Sequence, residues 1–471
     1  GWKWPKGYRK DKGIQMKRKL LSVLLAASML AGGILTGCGG SGGSGAAGEG
    51  TQEESQGEAQ GGTGEAASSG GKETIRYMIW GDAGLYEQIS ASLQEAYPDF
   101  FEKYEIEVIV GGTGDNEVAE KIRLALASGE PCADVIQLNY TQVPEFAEAG
   151  ALEDLSDIYE GTEDNLTFAA KALSQYKGQT VAVANQVNSK LFYYRKDIFD
   201  ECGVDPTQWK TVDDMIEASA TIQEKYPDAY IHNCSKEEGF SGYDAYMMMC
   251  VYDARFSDEN GEYICDTDPG MRKALETLKK IFDSGICFGS GDFTPDWEAG
   301  LANGSLIGEF TGSWFKLFIP GYAPDDAGKW AACPWPDEIR KGSEAGGSVL
   351  VVPVFSEQKE AAKEYVKMYR LDSEGTLAAF QNADRTPITQ KEFDMIAEEP
   401  NSYLCNDYWT VESASYDENT FSIFNYSPNA VAEMTILNGW LAKYFSGQAD
   451  LDETLKGMND DMKNQIGNAL E

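Results

Sequence analysis

The chain has 471 residues, 42% of them hydrophobic, which is long enough for roughly two to three domains of about 100–200 residues. Lys and Arg number 39 against 77 Asp and Glu, giving a formal net charge of −38. This charge argues against nucleic-acid binding and against basic-patch binding to membranes, since both need a positive surface. A single histidine, His232, also argues against His-dependent catalytic pairs and His-based zinc sites.

The amino-terminal region has the pattern of an export signal. Residues 1–15 are interpreted as upstream sequence, and residues 16–37 as a signal peptide with a basic start and a short apolar run. The run ends in Leu-Thr-Gly-Cys, which resembles the bacterial lipobox, so cleavage before Cys38 and lipidation of Cys38 are predicted. The alternative is an ordinary buried Cys after an uncleaved signal anchor.

A flexible tether is predicted next, over residues 38–72. Gly, Ser, Ala and Glu dominate residues 39–71, and no aromatic residue occurs there. Such a segment cannot bury enough apolar surface to offset its ordering entropy, and as a coil it spans roughly 30–35 Å. Eight further cysteines follow without any C-x-x-C pair, so the pattern leaves both free thiols and one or two disulfides open.

The first folded segment alternates strands with helices. Apolar runs and helical spacing predict strand, helix, strand, helix and strand in that order, which indicates a parallel α/β construction. Ligands of such sheets bind beyond the carboxyl ends of the strands, so the residues after the first and third strands are expected at one rim. The predicted segments are 75–80, 85–97, 106–110, a helix capped by Asp115 or Asn116 and closed by Gly129, and 134–138.

Later segments carry capping and turn signals. Thr211 and Asp214 form the pattern of a capping box, and Asp268 with Pro269 opens an amphipathic helix that ends at Gly285. The stretch 258–261 is interpreted as a hairpin turn, because it lacks the third acidic ligand and distal Glu of a calcium loop.

Motifs in a fixed order then produce a family resemblance. They run from about residue 75 to 466. Two departures from the family pattern occur: Cys132 and Ala133 are inserted between Pro131 and Asp134, and in the passage that begins LFYYRKD and continues to Thr211, Arg195 and Trp209 differ from the usual residues or positions. Together they resemble the extracellular solute-binding proteins of ABC transporters, specifically the sugar-binding family 1 similar to maltose-binding protein. The motifs are IRYMIWG, KIRLALASGEP, ADVIQLNYTQVPEFAEAGALEDLSD, LFYYRKDIFDECGVDP, ANGSLIGEFTGSW, AGGSVLVVP, EAAKEYVKMY and ADRTPITQ.

The resemblance implies an α/β, two-lobed periplasmic-binding-protein fold of type II, with a mixed sheet and flanking helices in each hinge-linked lobe. Lobe 1 is then expected at 73–187 plus 346–395, and lobe 2 at 188–345 plus 396–471. The implied protein is no enzyme and has no cofactor and no metal. It is an exported, lipid-anchored monomer on the outer face of the cytoplasmic membrane, which captures a carbohydrate, expected to be an oligosaccharide, and delivers it to the permease.

Sugar recognition requires rings for the apolar face and planar polar groups for the hydroxyls. Gly312-Ser313-Trp314 matches the family segment whose Trp stacks on sugar, so Trp314 is the leading candidate, with core packing as the alternative. Asn188 lies where a cleft polar residue falls in the family, and a hinge turn is its alternative. Trp80 and the trio Asn139, Tyr140 and Gln142 follow strands at the predicted rim.

The other candidates have equally open alternatives. Tyr243 and Asp244 have loop packing as the alternative, Asp296 and Trp297 have helix capping, and Gly346 and Gly347 have a plain turn. Arg385 is assigned either to ligand binding or to a structural ion pair, and Trp409 to the cleft or the core. Two rival functions also stay open: a secreted glycoside hydrolase with paired carboxylates, and a binding protein for a non-sugar solute.

Overall fold

The computed structural model describes most of the chain beyond the predicted tether: residues 71–341, 344–383 and 385–470. The predicted upstream segment, signal peptide and lipidated Cys38 lie outside the described residues, as does nearly all of the predicted tether 38–72. Within the described ranges, no helix combines the length and apolar character needed to cross a membrane.

The strands form one seven-stranded sheet and one short hairpin. The order in the large sheet is β2-β1-β3-β9-β6-β7, with β8 also paired to β6. The strands are β1 Glu73–Trp80, β2 Tyr104–Gly112, β3 Val135–Leu138, β4 Gln175–Tyr176, β5 Gln179–Thr180, β6 Val183–Arg195, β7 Gly308–Gly312, β8 Trp330–Cys333 and β9 Glu344–Val351.

Two regions of this sheet differ in strand direction. β1 pairs in parallel with β2 and β3, as the alternating pattern predicts, and β9 joins β3 antiparallel. We call this region with its helices the first lobe. β7 and β8 both pair antiparallel with the second half of β6, and this region is the second lobe.

β6 is the strand that belongs to both regions. Its first half, Val183–Val187, pairs with β9, and its second half pairs with β7 from Lys190 onward. The register of the β6–β9 pair shifts between Val187 and Ser189, so the chain passes from one region to the other at this point. Residues 72–471 nevertheless form one compact unit.

Helices cover both regions. Their apolar faces pack against the sheet and form the core. The helices Pro269–Asp283 and Lys359–Arg370 are the most strongly amphipathic, and they bury alanine, leucine, isoleucine and tyrosine side chains. The helices are α1 Ala83–Ala96, α2 Pro98–Lys103, α3 Asp115–Ser128, α4 Val143–Glu148, α5 Phe168–Leu173, α6 Lys196–Cys202, α7 Val212–Lys225, α8 Gly242–Val251, α9 Pro269–Asp283, α10 Pro295–Asn303, α11 Phe315–Tyr322, α12 Lys359–Arg370, α13 Ser373–Ala383, α14 Gln390–Ile396, α15 Tyr408–Ala414, α16 Ala430–Phe445 and α17 Leu451–Gln465.

Local signals position most helix starts correctly. Thr211 caps α7 through a capping box with Asp214, and Asp268 caps α9 by accepting from the Met271 N–H. The prediction for α3 is wrong by one residue: Gly114 is the N-cap, because the Glu117 side chain accepts from its backbone N–H at 3.0 Å. The 258–261 turn is confirmed by an antiparallel bridge between Ser257 and Tyr263.

Candidate functional site

The carboxyl end of β3 carries a set of linked amides. Asn139 caps the following turn by accepting from the Thr141 N–H at 3.1 Å, and its Nδ2 donates to Asp115 Oδ2 at 2.7 Å. Gln142 Nε2 donates to Asn116 Oδ1 at 3.1 Å. Asp115 and Asn116 open α3, so a helix start and a strand end together form an amide-rich rim on the first lobe.

Two polar atoms on this rim have no partner among the described residues. They are the Tyr140 hydroxyl and Gln142 Oε1, and both side chains are buried. A buried polar group without a partner costs free energy, so such atoms are candidates to bind a ligand hydroxyl. The ring of Tyr140 lies 5.9 Å from that of Tyr426.

Tyr243 brings helix α8 to this rim. It lies in the first turn of α8, its side chain is 43% exposed, and its hydroxyl lies 3.5 Å from Asn139 Nδ2. Burial, and then the charge of Asp115, raise the pKa of Tyr243 to about 12, so the phenol keeps its proton and can donate a hydrogen bond. Asn139 and Tyr243, 104 residues apart in sequence, are thus brought together at the rim.

The glycine pair and Asn188 hold the crossing strands together. Asn188 Nδ2 donates to the Gly346 carbonyl at 3.0 Å, and Ser313 Oγ donates to Asn188 Oδ1 at 3.3 Å. A Cβ on Gly347 would lie 2.4 Å from the Gln186 carbonyl oxygen, so close strand approach requires glycine there. These contacts give Asn188, Gly346 and Gly347 a structural role where the strands cross. Contact with a ligand would be in addition to that role.

Trp314 belongs to a partly exposed aromatic cluster at the end of β7. Phe293 stacks on its indole with ring centroids 5.5 Å apart and planes at 29°, and Phe318 meets it edge-on at 5.7 Å. Phe293 and Phe318 are 50% and 41% exposed, unusual for large apolar side chains. We call Trp314, Phe293 and Phe318 the aromatic platform.

Sequence reasoning missed Phe293 and Phe318. Phe293 adopts a positive φ of 59°, a conformation that is strained for a bulky residue and that is concentrated at functional sites. Neither a motif nor hydrophobic periodicity marks it, but its position in the glycine-rich stretch Gly289-Ser290-Gly291-Asp292-Phe293 was an available signal.

Three carboxyl groups, those of Asp244, Asp292 and Glu309, form an acid cluster near the platform, and Asp292 directly precedes Phe293 in sequence. Asp244 completes the capping box of α8, and burial followed by the charge of Asp292 raises its pKa to about 6. The same two causes raise the pKa of Glu309. Asn233 Nδ2 donates to Asp292 Oδ1 at 2.6 Å. Because the charges of Asp244, Asp292 and Glu309 repel one another, a shared proton or a hydroxyl group that donates a hydrogen bond would stabilise this cluster.

His232 is a structural residue of this region. Burial lowers its pKa to about 3, and its Nδ1 accepts from the Phe310 N–H at 3.4 Å, so the imidazole is neutral. It lines a cavity of about 10 Å³, space for roughly one water, together with Asp244 and Trp335. Among the described residues, no group of three or more His, Cys, Asp or Glu side chains is arranged to hold a metal ion.

Two tryptophans predicted as candidates lie in the core. Trp297 has no exposed surface, and its indole donates to Glu309 Oε2 at 3.3 Å. Trp409 is 2% exposed and packs edge-on against Phe380 at 5.1 Å. Neither offers a free ring face for a sugar in this structure. The physical reason is that helix α10 and helix α15 turn these large side chains inward, where they bury the most apolar area.

Three other candidates lie apart from the rim contacts. Trp80 is half-buried at the end of β1, opposite Gly112, and Asp296 is exposed in the first turn of α10, whose N-cap is Thr294. Arg385 is 3% exposed, and among the described residues it forms no ion pair with an acid. Its guanidinium donates to Gln186 Oε1 at 2.8 Å and to the Tyr86 hydroxyl at 2.9 Å.

Comparison with known proteins gives a family match and a fold match. The profile of the family described as "Bacterial extracellular solute-binding protein" matches residues 95–401. The chain is 23% identical over 322 residues to the arabinooligosaccharide-binding protein of Bacillus subtilis, covering 65% of this chain and 72% of that relative. It is 26% identical over 372 residues to the diacetylchitobiose binding protein DasA of Streptomyces coelicolor, covering 77% and 80%.

A solved structure gives the same fold. The ABC transporter associated binding protein from B. animalis subsp. lactis, in complex with beta-1,6-galactobiose, superimposes with a TM-score of 0.67 at 21% identity. The match covers 85% of this chain and all of that one. The two sheet regions joined through β6 are therefore the two lobes of a periplasmic-binding-protein fold.

Proposed function

The chain belongs to the bacterial extracellular solute-binding proteins, and we propose that it captures an oligosaccharide between its lobes and delivers it to an ABC transporter permease. Two surfaces support the sugar assignment: a partly exposed aromatic platform and an amide-rich rim. Both border the glycine pair of β9, since an added Cβ would lie 3.9 Å from Trp314 Nε1 at Gly346 and 3.3 Å from Tyr140 Cε1 at Gly347. A pyranose needs both surfaces, because its C–H face packs on rings while its hydroxyls need paired donors and acceptors.

The rim and the platform are suited to different parts of the ligand. Trp314 and Phe293 supply ring area, and the unpartnered Tyr140 hydroxyl and Gln142 Oε1 supply polar contacts without loss of an existing hydrogen bond. Tyr243 faces Asn139 across the lobes, so a ligand that enters there contacts both. The named ligands of the relatives, arabinooligosaccharide and diacetylchitobiose, support the same substrate class.

We propose that the chain is divided into the parts that the motifs predict. Lobe 1 comprises 73–187 plus 346–395 and lobe 2 comprises 188–345 plus 396–471, with the change of pairing within β6 as the hinge. Cys38 carries the lipid, residues 39–72 form the tether, and the folded unit acts as a monomer beside the permease. The protein returns its sugar chemically unchanged.

A thermal-shift screen of the folded unit against neutral mono- and oligosaccharides tests the function, since a ligand that binds the native state raises Tm by mass action. We expect at least one oligosaccharide to raise Tm, with isothermal titration giving one site per chain. Chromatography of the sugar after incubation separates the rivals: cleavage products indicate a glycoside hydrolase, and a Tm response only to peptides or metal ions indicates a non-sugar solute.

A further inference from the structure

Two arginines lie buried in the first lobe, and neither has an acidic partner in the part of the chain that the structure describes. Arg370 is fully buried at the end of α12, and Arg385 is 3% exposed. Arg370 donates from Nε to the Ala184 carbonyl at 3.3 Å and from Nη2 to the Thr386 carbonyl at 2.8 Å. All of these acceptors are neutral, so the hydrogen bonds leave the positive charge uncompensated.

Arg385 adjoins Arg370. Its Nη1 donates to Gln186 Oε1 and its Nη2 to the Tyr86 hydroxyl, and Gln186 lies two residues from Ala184 on β6. Thr386, which binds Arg370, is the residue that follows Arg385 in sequence. Both guanidinium groups therefore lie against the first half of the same strand.

Four donor-capable atoms in this region have no hydrogen-bond partner among the described residues. Each belongs to a side chain that is at least 97% buried: Arg370 Nη1, Arg385 Nε, and the hydroxyls of Tyr77 and Tyr369. The rings connect them, since the Arg370 guanidinium lies 5.3 Å from the centroid of the Tyr369 ring, and Tyr77 packs against Tyr86 at 5.6 Å. We call these four side chains the arginine cluster.

Within residues 71–341, 344–383 and 385–470, neither guanidinium pairs with a carboxylate. Asp384, which precedes Arg385, lies outside the described residues. Glu412 reaches Thr386 Oγ1 at 3.3 Å, but its charge is already compensated by Lys316 at 2.8 Å. Burial raises the pKa of Tyr77 well above its ordinary value, so this phenol keeps its proton and adds a donor, not a negative charge. An unpaired buried cation is costly, and cation–π contact with a tyrosine face offsets only part of that cost.

We propose that the arginine cluster binds a small monovalent anion, of which chloride is the commonest, inside the first lobe. Two guanidinium N–H groups and two phenol O–H groups are the donor set that an anion accepts from, and no described acceptor uses them. The anion compensates the buried charge and ties α12, β1 and β6 together. This site is separate from the proposed sugar site and does not depend on it.

The amide oxygens of Gln137 and Asn185 also have no hydrogen-bond partner within the described ranges, so ordered water is the rival occupant. Crystals of the folded unit soaked in bromide distinguish the two, because bromide replaces chloride and scatters anomalously. We expect an anomalous peak in contact with Arg370 Nη1 and Arg385 Nε. Peaks confined to the protein surface, with an ordinary water between the arginines, would overturn the proposal.

Solution stability gives an independent test. With ionic strength held constant by gluconate, we expect Tm to rise by about 1–2 °C for each tenfold increase in chloride above the dissociation constant. Arg370→Met keeps side-chain volume and removes one charge, and Tyr77→Phe removes one donor; both should weaken the chloride response. Arg123→Met is the control, because Arg123 pairs with Glu145 at the surface and its variant should retain the full response. Equal Tm in chloride and gluconate for the unmodified protein would contradict the proposal.

Discussion

Trp314 is the residue on which the proposed sugar site depends most. Its indole is stacked on Phe293 on one side and lies against Gly312, where an added Cβ would be 2.3 Å from Nε1, so the ring is held in one orientation. We expect Trp314→Ala to weaken binding of the cognate oligosaccharide by about 1–3 kcal/mol in isothermal titration, the range of a stacked aromatic anchor.

Trp440 is the matched control for this variant. It is a half-buried tryptophan on α16 whose indole donates to Asp461 Oδ2 at 2.8 Å, outside the platform and the rim. Trp440→Ala should leave the sugar affinity unchanged. If Trp314→Ala binds the cognate sugar as tightly as the unmodified protein, Trp314 is not part of the site.

The Lys316–Glu412 ion pair is buried next to the crossing strands. Its atoms lie 2.8 Å apart, the side chains are 4% and 0% exposed, and Tyr416 also donates to Glu412 Oε1 at 2.7 Å. Lys316→Met leaves a buried carboxylate without its cation, which should cost about 3–5 kcal/mol of unfolding free energy in denaturant titration. Lys177→Met removes an exposed pair with Glu148 and should change stability by no more than about 0.5 kcal/mol.

The raised pKa of Asp244 predicts that the stability of the fold decreases as pH rises. A carboxyl whose pKa is about 6 in the folded protein, against about 4 in the unfolded chain, holds its proton more tightly when folded. Its contribution to stability is therefore fully present below about pH 4 and is lost as pH rises to about 6. In thermal unfolding between pH 4 and 7, Asp244→Asn should show a smaller loss of Tm than the unmodified protein; an unchanged slope would contradict this role.

The crossing of β6 and β9 is the element on which the site geometry rests. Gly347 allows the two backbones to approach, because a Cβ there would meet the Gln186 carbonyl oxygen at 2.4 Å. Gly347→Ala should therefore lower Tm and weaken sugar binding together, since the β9 backbone must shift away from Asn188 and the rim. Gly439→Ala in the middle of α16 meets nothing within 4 Å, and its higher helix propensity should leave Tm unchanged or raise it.

Local chemistry explains why element boundaries were predictable to within a few residues. Capping boxes and terminal glycines act over three or four residues, so Thr211 and Asp268 specify their helix starts regardless of tertiary context. The start of α3 is less predictable from sequence. Glu117 accepts a hydrogen bond from the Gly114 N–H and so makes Gly114 the N-cap, but glycine has no side chain that marks it as a cap in the sequence.

At the scale of the whole molecule, Asn139 and Tyr243 are in contact, and the proposed bounds place Asn139 in lobe 1 and Tyr243 in lobe 2. A ligand that contacts both lobes favours this arrangement over an open one. We expect small-angle scattering to give a smaller radius of gyration with the cognate oligosaccharide than without it. Trp314→Ala at the same sugar concentration is the control and should close less; an identical radius with and without sugar in the unmodified protein would contradict capture by closure.

The sequence alone determined the fold class, the order of its elements and the family, because strand–helix alternation, capping and motif order are properties of neighbouring residues. It also singled out Trp314 and the residues after β3. Only the tertiary structure decided which candidates share a surface. Burial turned Trp297 and Trp409 into core residues, a strained φ placed Phe293 on Trp314, and Arg385 was brought beside Arg370 on β6. Such outcomes depend on contacts between residues up to 299 positions apart, which spacing along the chain does not encode.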